Sequence, residues 1–230
     1  MIARACRLAA FCLCCLIAGS TASWAQESHL DAPGEIPKYV KEPIALFTTG
    51  LGPFQRPISS KSAEAQAFFN QGFQMMYAFA RLDAVRSFRE AWKRDPECAI
   101  CYWAEGWAWG SYLNGPMSAE QSPFAYAAMQ KAVSLKEKAT PNERAFIEAL
   151  SVRYVKNFDV KTRKEQDQAY ADAMKKVADQ YPNDLDAITL YGDALFLLEP
   201  RRGLRDIDAP NVKRLHAVLE AVLALSLIHI

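Results

Sequence analysis

The sequence contains few of the residues from which metal, nucleotide and catalytic sites are built. Its 230 residues include three histidines, His29, His216 and His229, which are too few and too scattered to complete a zinc site. Its ten glycines are also scattered, and none belongs to a phosphate-binding loop or a dinucleotide fingerprint. No nucleophile with an adjacent base is recognisable. We therefore expect no catalytic residue, no metal site and no cofactor.

The chain also lacks an excess of charge of either sign. It has 27 Lys and Arg residues against 26 Asp and Glu residues, which gives a formal net charge of +1. Nucleic-acid binding requires a clustered basic surface, because the phosphate backbone is a dense line of negative charge. The balanced composition therefore predicts that the protein has no nucleic-acid partner.

The first 25 residues have the pattern of a cleavable secretory signal. Arg4 and Arg7 precede an apolar run over residues 8–18, and small residues follow up to Ala25. This run is too short to anchor the chain in a bilayer. We expect residues 1–25 to be removed, and the mature chain to be exported to the periplasm or the cell surface without a membrane span. Its net charge is then 25 − 26, or −1, because the signal holds two arginines and no acidic residue.

The last six residues, 225–230, have an unusual sequence. Leu-Ser-Leu-Ile-His-Ile can be encoded by CTG TCT CTT ATA CAC ATC, which resembles the transposon-end adapter used to fragment DNA for sequencing. The helical pattern that leads into it, residues 213–224, has no stop signal. We expect residues 225–230 to be an artefact and the natural chain to continue past Ala224. A short apolar helix end is the alternative.

Between these ends, the pattern of the sequence changes near Ser62. Residues 26–61 are crowded with proline and glycine, which predicts an extended lead-in. Residues 62–224 have few breaks and repeat apolar residues at steps of three and four, which predicts helices, and no segment alternates as a strand. The expected helices lie near residues 63–79, 82–95, 99–112, 121–138, 142–156, 163–181, 184–198 and 211–224.

Helix starts are marked by capping residues. Thr140 is followed by Pro141 and, three positions on, by Glu143, which predicts a capping box at the start of a helix. Asn183, followed by Asp186, predicts a weaker cap for the helix expected near residues 184–198. These signals mark the starts of two helices in the second half of the chain.

Two spacings indicate that the helices form repeats. Gly106 follows Gly72 by 34 residues. Pro96 and Gly106 recur together as Pro182 and Gly192, each 86 residues later. A period of about 34 residues is that of a two-helix repeat, and the longer interval fits two units with an insertion.

Residues 65–98 resemble one tetratricopeptide (TPR) repeat, with small residues where its two helices meet, an aromatic residue between them and a closing proline: Gly72, Ala84, Phe88, Ala91 and Pro96. Residues 99–138 and 142–182 are similar but degenerate, and a further unit begins at 185. The run 95–103 also resembles a group of exported bacterial TPR proteins whose role is undefined. The resemblance implies an all-α fold, a right-handed superhelical array of antiparallel helix pairs with about four units, the last one incomplete.

In TPR arrays the first helix of each pair lines a concave face. Carried onto this chain, the resemblance places six residues there: Phe69, Phe73, Met76, Tyr77, Trp103 and Trp107. Exposed apolar strips are uncommon unless they are used, so these residues predict a groove that binds a protein or peptide partner. Two other interpretations remain open. The aromatic residues can be core between repeats, or the lead-in can cover them through Ile44, Leu46 and Phe47.

Removal of residues 1–25 leaves two cysteines, Cys98 and Cys101, at the start of an expected helix. An even pair in an oxidising compartment predicts a local disulfide. Alternatively, the start of a helix can stabilise a thiolate and make one cysteine reactive, which would indicate thiol–disulfide redox chemistry. We therefore expect an exported scaffold for a protein or peptide partner; the alternatives are a redox protein that uses Cys98 and Cys101, and the recruitment module of a longer enzyme.

Overall fold

The computed structural model describes residues 35–113, 115–200 and 206–226. Its described residues form nine α-helices: α1 Lys38–Lys41, α2 Ala63–Tyr77, α3 Arg81–Arg94, α4 Ala99–Trp109, α5 Ser122–Leu135, α6 Pro141–Ser151, α7 Arg163–Gln180, α8 Leu185–Leu197 and α9 Pro210–Leu223. Within the same ranges the β-type pairing consists of one isolated bridge, between Tyr112 and Gly115. The all-helical fold class is therefore confirmed.

Each of the eight expected helices has a counterpart, and the short α1 in the lead-in is an addition. Most helices end within three residues of the expected position; α6 ends five residues early and α4 three. In α6 the end is at Ser151, because Arg153 and Tyr154 leave the helix and turn into the core. In α4 the end is at Trp109, because the next residue, Gly110, adopts an extended backbone against the Tyr154 hydroxyl, with no room for a side chain. The expected signal over residues 1–25, most of the expected artefact and the first part of the lead-in lie outside the described residues.

Consecutive helices pack against each other, and among these contacts are the four pairs that a two-helix repeat predicts: α2 with α3, α4 with α5, α6 with α7 and α8 with α9. In three pairs a glycine of the first helix lies against the second. A Cβ atom added to Gly72 would lie 2.6 Å from the Phe88 ring, and one added to Gly192 would lie 2.6 Å from Leu219. A Cβ atom on Gly106 would lie 2.9 Å from Met129. The glycines that the sequence spacing singles out thus mark the same close approach in three of the four pairs, which is consistent with a helical repeat.

Gly72→Ala is expected to lower the free energy of unfolding by about 1–3 kcal/mol, although alanine is the better helix former. The added methyl group would overlap the ring of Phe88, which is fully buried and rigid. Urea unfolding measures the effect. Gly106→Ala is the matched control, because Met129 is flexible and can turn away, so its loss should be smaller. A larger loss for Gly106→Ala would contradict the assignment.

The helix caps were predicted correctly at one position and wrongly at the other. At α6 the Thr140 side chain accepts from the Glu143 N–H, and the Glu143 carboxylate accepts from the Thr140 N–H, which completes the capping box. At α8 the cap is Asp184, whose carboxylate accepts from the N–H groups of Asp186 and Ala187. Asn183 is therefore not the cap, since the residue after it already satisfies two helix-end donors.

Candidate partner-binding site

Three of the six predicted groove residues are fully enclosed. Phe69, Phe73 and Trp103 have no exposed surface, so they cannot contact a partner in this fold. They form one aromatic cluster, in which Phe73 lies 5.4 Å from Phe69 and 6.4 Å from Trp103 between ring centroids. The expected exposed strip is therefore corrected to a buried core at these positions. The physical reason is that neighbouring helices and the lead-in cover the rings.

The lead-in covers the cluster, but only one of the three residues expected to do so is buried in the core. Ile44 is buried, whereas Leu46 and Phe47 are 40% and 51% exposed. Phe54 takes their place: its ring stacks on Phe73 at 5.7 Å and meets Tyr77 edge-on at 6.0 Å. The lead-in thus contributes one aromatic side chain to the core of the helical pairs.

Residues 54–58, which we call the strap, lie extended along α2. The α2 side chains Gln66, Asn70 and Gln74, four residues apart, hydrogen-bond to the main chain of the strap. Gln74 Nε2 donates to the Phe54 carbonyl at 2.9 Å, and Gln66 Nε2 donates to the Arg56 carbonyl at 2.8 Å. Asn70 Oδ1 accepts from the Arg56 N–H at 3.1 Å, and Gln66 Oε1 accepts from the Ile58 N–H at 2.9 Å. We call these three side chains the amide ladder.

The guanidinium of Arg56 reaches across to α6 and α8. Its Nη1 atom donates to Asp184 at 2.9 Å and to Asp186 at 2.7 Å. Its Nη2 atom donates to Asp184 at 2.9 Å and to Asn142 at 3.0 Å, and its Cζ atom lies 4.6 Å from the centroid of the Phe146 ring. We call the four partners, Asn142, Phe146, Asp184 and Asp186, the Arg56 site. Arg56 itself is 8% exposed.

The charges of this site shift the pKa values of its members. Burial alone would raise the pKa of Asp184, but the hydrogen bonds and charge of Arg56 hold it below its usual value. Because the folded-state pKa is lowered, the stability from this carboxylate is present above about pH 5 and is lost as the pH falls through the folded value. Tyr77 donates to Asp186 at 2.7 Å, and its burial together with that carboxylate raises its pKa well above the usual value. The site therefore holds Arg56 as a cation and Tyr77 as a neutral hydroxyl at neutral pH.

Next to Tyr77 lies an open cavity of about 190 Å³, which we call the open pocket. The other three predicted groove residues, Met76, Tyr77 and Trp107, all line it. Helices α8 and α9 contribute further apolar surface through Leu190, Phe196 and Leu219. The polar side chains that line the pocket include Arg81, Thr189 and Asp193. A mostly apolar concavity with a few polar groups is the ordinary form of a ligand site.

Phe79 lines this pocket in a backbone conformation that favours glycine. It follows α2 with φ at 62°, the only positive φ among the described non-glycine residues. Its N–H donates to the Met76 carbonyl and the Ala80 N–H donates to the Met75 carbonyl, which is the Schellman arrangement of a helix end. For a residue with a side chain, this conformation costs about 1–2 kcal/mol of conformational free energy. The Phe79 ring does not offset this cost by burial, because it is 53% exposed. The fold therefore holds an exposed aromatic side chain in a strained position at the pocket.

A second buried charge cluster links the segment that follows α6 to α7. Asp167 Oδ1 accepts from Arg153 Nε at 3.0 Å and from Arg163 Nη2 at 2.8 Å, so one carboxylate oxygen holds two guanidinium groups. Arg153 has no exposed surface and lies over the Tyr170 ring, 4.7 Å from its centroid. Burial raises the pKa of Tyr170, which stays neutral. This cluster is enclosed and holds the segment after α6 against α7.

Cys98 and Cys101 are disulfide-bonded at the start of α4, with the sulfur atoms 2.03 Å apart. Both residues are buried, at 2% and 0% exposure. Thiol–disulfide exchange requires an attacking thiolate to reach one of the sulfur atoms. The burial therefore favours a structural bond over an exchanging one.

Across the described ranges, no group of three or more His, Cys, Asp or Glu residues could hold a metal ion. None of the described helices is long and apolar enough to cross a membrane. No family model matches the chain, and no curated protein and no solved structure is significantly similar to it. The likeness to the TPR family thus rests on the residues and spacings given above.

Proposed function

We propose that the protein is a helical-repeat scaffold that binds a protein or peptide partner, and that the open pocket takes a large apolar side chain of that partner. The strained and exposed ring of Phe79 beside an apolar cavity carries this proposal. Residues in strained backbone conformations cluster at ligand-binding sites, and glycine at this position would relieve the strain. Binding, rather than catalysis, is the activity that such a surface can perform.

The proposal includes the arrangement and location expected from the sequence. The helix pairs would form a right-handed TPR-like superhelix, and the open pocket would be the uncovered end of its concave face. The repeated glycine contacts of Gly72, Gly106 and Gly192 support the repeat. Export to the periplasm or cell surface is supported by the pattern of residues 1–25 and agrees with the disulfide.

Phe79→Gly tests the proposal, because it removes the ring and relieves the backbone. We expect the free energy of unfolding to rise by about 1 kcal/mol, while the affinity for apolar peptides falls at least tenfold. The measurement is binding of the wild type and the variant to an array of random 12-residue peptides, followed by urea unfolding. Wild-type signal should concentrate on peptides with Leu, Phe, Met or Trp.

Phe47→Ala is the matched control, since Phe47 is equally exposed but lies in the lead-in, outside the open pocket. It should leave the binding to the array unchanged. Equal binding by Phe79→Gly and the wild type would refute the role of the pocket. So would a wild-type signal spread evenly over polar and apolar peptides.

A further inference from the structure

We propose that the amide ladder and the Arg56 site together form a cleft for an extended peptide that carries an arginine two residues after an aromatic residue, and that the strap is its resident ligand. This inference rests on the proposed function, since it names the partner segment that the scaffold would take beside the open pocket. The chain's own Phe54-Gln55-Arg56 supplies the pattern.

The contacts to the strap main chain are those of a bound peptide. Gln66, Asn70 and Gln74 together bind two carbonyl groups and two N–H groups of residues 54–58, and none of these contacts depends on a strap side chain. Side-chain amides that satisfy an extended backbone can hold any segment of suitable shape. Selection must therefore come from the side chains at positions 54 and 56.

The Arg56 site is selective for a guanidinium group. Asp184 accepts from both Nη atoms of Arg56, while Asp186 and Asn142 each accept from one of them. The Phe146 ring provides a face for the planar cation. An ammonium group is a point charge and cannot reproduce this fork, so lysine should bind less well.

The charge balance favours a cationic ligand. Two carboxylates, Asp184 and Asp186, face one guanidinium, so the site is negative when the strap is absent and remains so when it is present. Phe54 fixes the register, because its ring stacks on Phe73 while Arg56 reaches the carboxylates. A peptide with a neutral residue in place of the arginine would leave two buried charges unpaired.

A partner segment must compete with the strap, which is tethered to the groove. A tethered ligand has an effective concentration in the millimolar range, so the wild type should bind a free peptide weakly. Weakening the strap should therefore reveal the affinity of the cleft. Arg56→Lys weakens the strap but keeps the positive charge that Asp184 and Asp186 need as a partner in the folded protein.

The first measurement is calorimetric titration of the full chain with the acetylated, amidated peptide of residues 52–59. We expect Arg56→Lys to bind it at least tenfold more tightly than the wild type does. The same peptide with citrulline for arginine, which is neutral and similar in shape, should bind at least tenfold more weakly. Equal affinity for both peptides, or for both proteins, would overturn the proposal.

A second measurement uses a small probe on Arg56→Ala. Ethylguanidinium should raise the melting temperature of this variant by about 3–6 °C at saturation, and ethylammonium at equal concentration should raise it by less than half as much. The wild type and Arg56→Ala/Asp186→Asn should show neither rise. The site would be overturned if both cations raised the melting temperature of Arg56→Ala equally. It would also be overturned if ethylguanidinium raised the melting temperature of the wild type as much as that of Arg56→Ala.

Failure here can be separated from failure of the proposed function. Phe79 is not among the contacts of Arg56 or of the amide ladder, so Phe79→Gly in the Arg56→Lys background should leave the affinity for the arginine peptide within twofold. Loss of array binding on Phe79→Gly together with no citrulline effect would retain the open pocket and reject the arginine cleft. Weaker binding of the citrulline peptide, together with array binding that Phe79→Gly leaves unchanged, would retain the arginine cleft and reject the open pocket.

Discussion

Trp103→Ala is expected to lower the free energy of unfolding by about 3–5 kcal/mol. Trp103 has no exposed surface and contacts rings on both sides, with Trp107 at 5.6 Å and Phe146 edge-on at 5.5 Å. Truncation would leave a cavity among aromatic side chains that are fixed by their own neighbours. Urea unfolding followed by circular dichroism measures the loss.

The control for Trp103→Ala is Phe47→Ala, which removes an aromatic ring that is 51% exposed. Its cost should stay below about 1 kcal/mol, because little apolar surface is lost from the core. A similar cost for both variants would show that Trp103 is not in the core. Because Trp103→Ala acts on the fold, a loss of binding in this variant would carry no information about a partner.

Asp167→Asn is expected to destabilise the protein by about 3–5 kcal/mol, because it leaves Arg153 and Arg163 without a buried counter-charge. The amide retains the shape of the carboxylate, so the cost reports charge rather than volume. Thermal and urea unfolding at neutral pH both measure it.

Asp179→Asn on the same helix is the matched control. Asp179 pairs with Lys175 one turn away and is exposed, so the expected cost is below about 0.5 kcal/mol. Raising the salt concentration should remove the small effect of Asp179→Asn and leave most of the effect of Asp167→Asn. Equal costs for the two variants would contradict the buried role of Asp167.

The helices could be predicted from the sequence because each carries its own signals. The period of the apolar residues, the Thr140 capping box and the glycines at positions 72, 106 and 192 are local features with a direct structural meaning. The pairing of neighbouring helices follows from short connections. The predicted groove residues were correctly placed on α2 and α4, but their exposure depends on what lies over them.

The strap and Phe79 were not predicted, for two different reasons. Arg56 lies in a segment rich in proline and glycine, and its partners Asp184 and Asp186 are 128 and 130 residues further along the chain. No local pattern indicates such a contact. Phe79 was included in the predicted helix 63–79. The four residues between the two helical patterns, Tyr-Ala-Phe-Ala, contain no glycine, so a residue with a side chain must take the left-handed conformation at the helix end.

The contact between Arg56 and α8 also bears on how the chain unfolds. An array of helix pairs is stabilised by nearest neighbours, so its ends can open without the middle. The strap instead connects a segment before the first pair to the start of the last one. Opening α8 then removes both carboxylate partners of Arg56, which weakens the hold of the strap over the aromatic cluster under Phe54. Together with the hydrogen bond from Tyr77 to Asp186, Arg56 thereby couples opening of the last helix pair to the first.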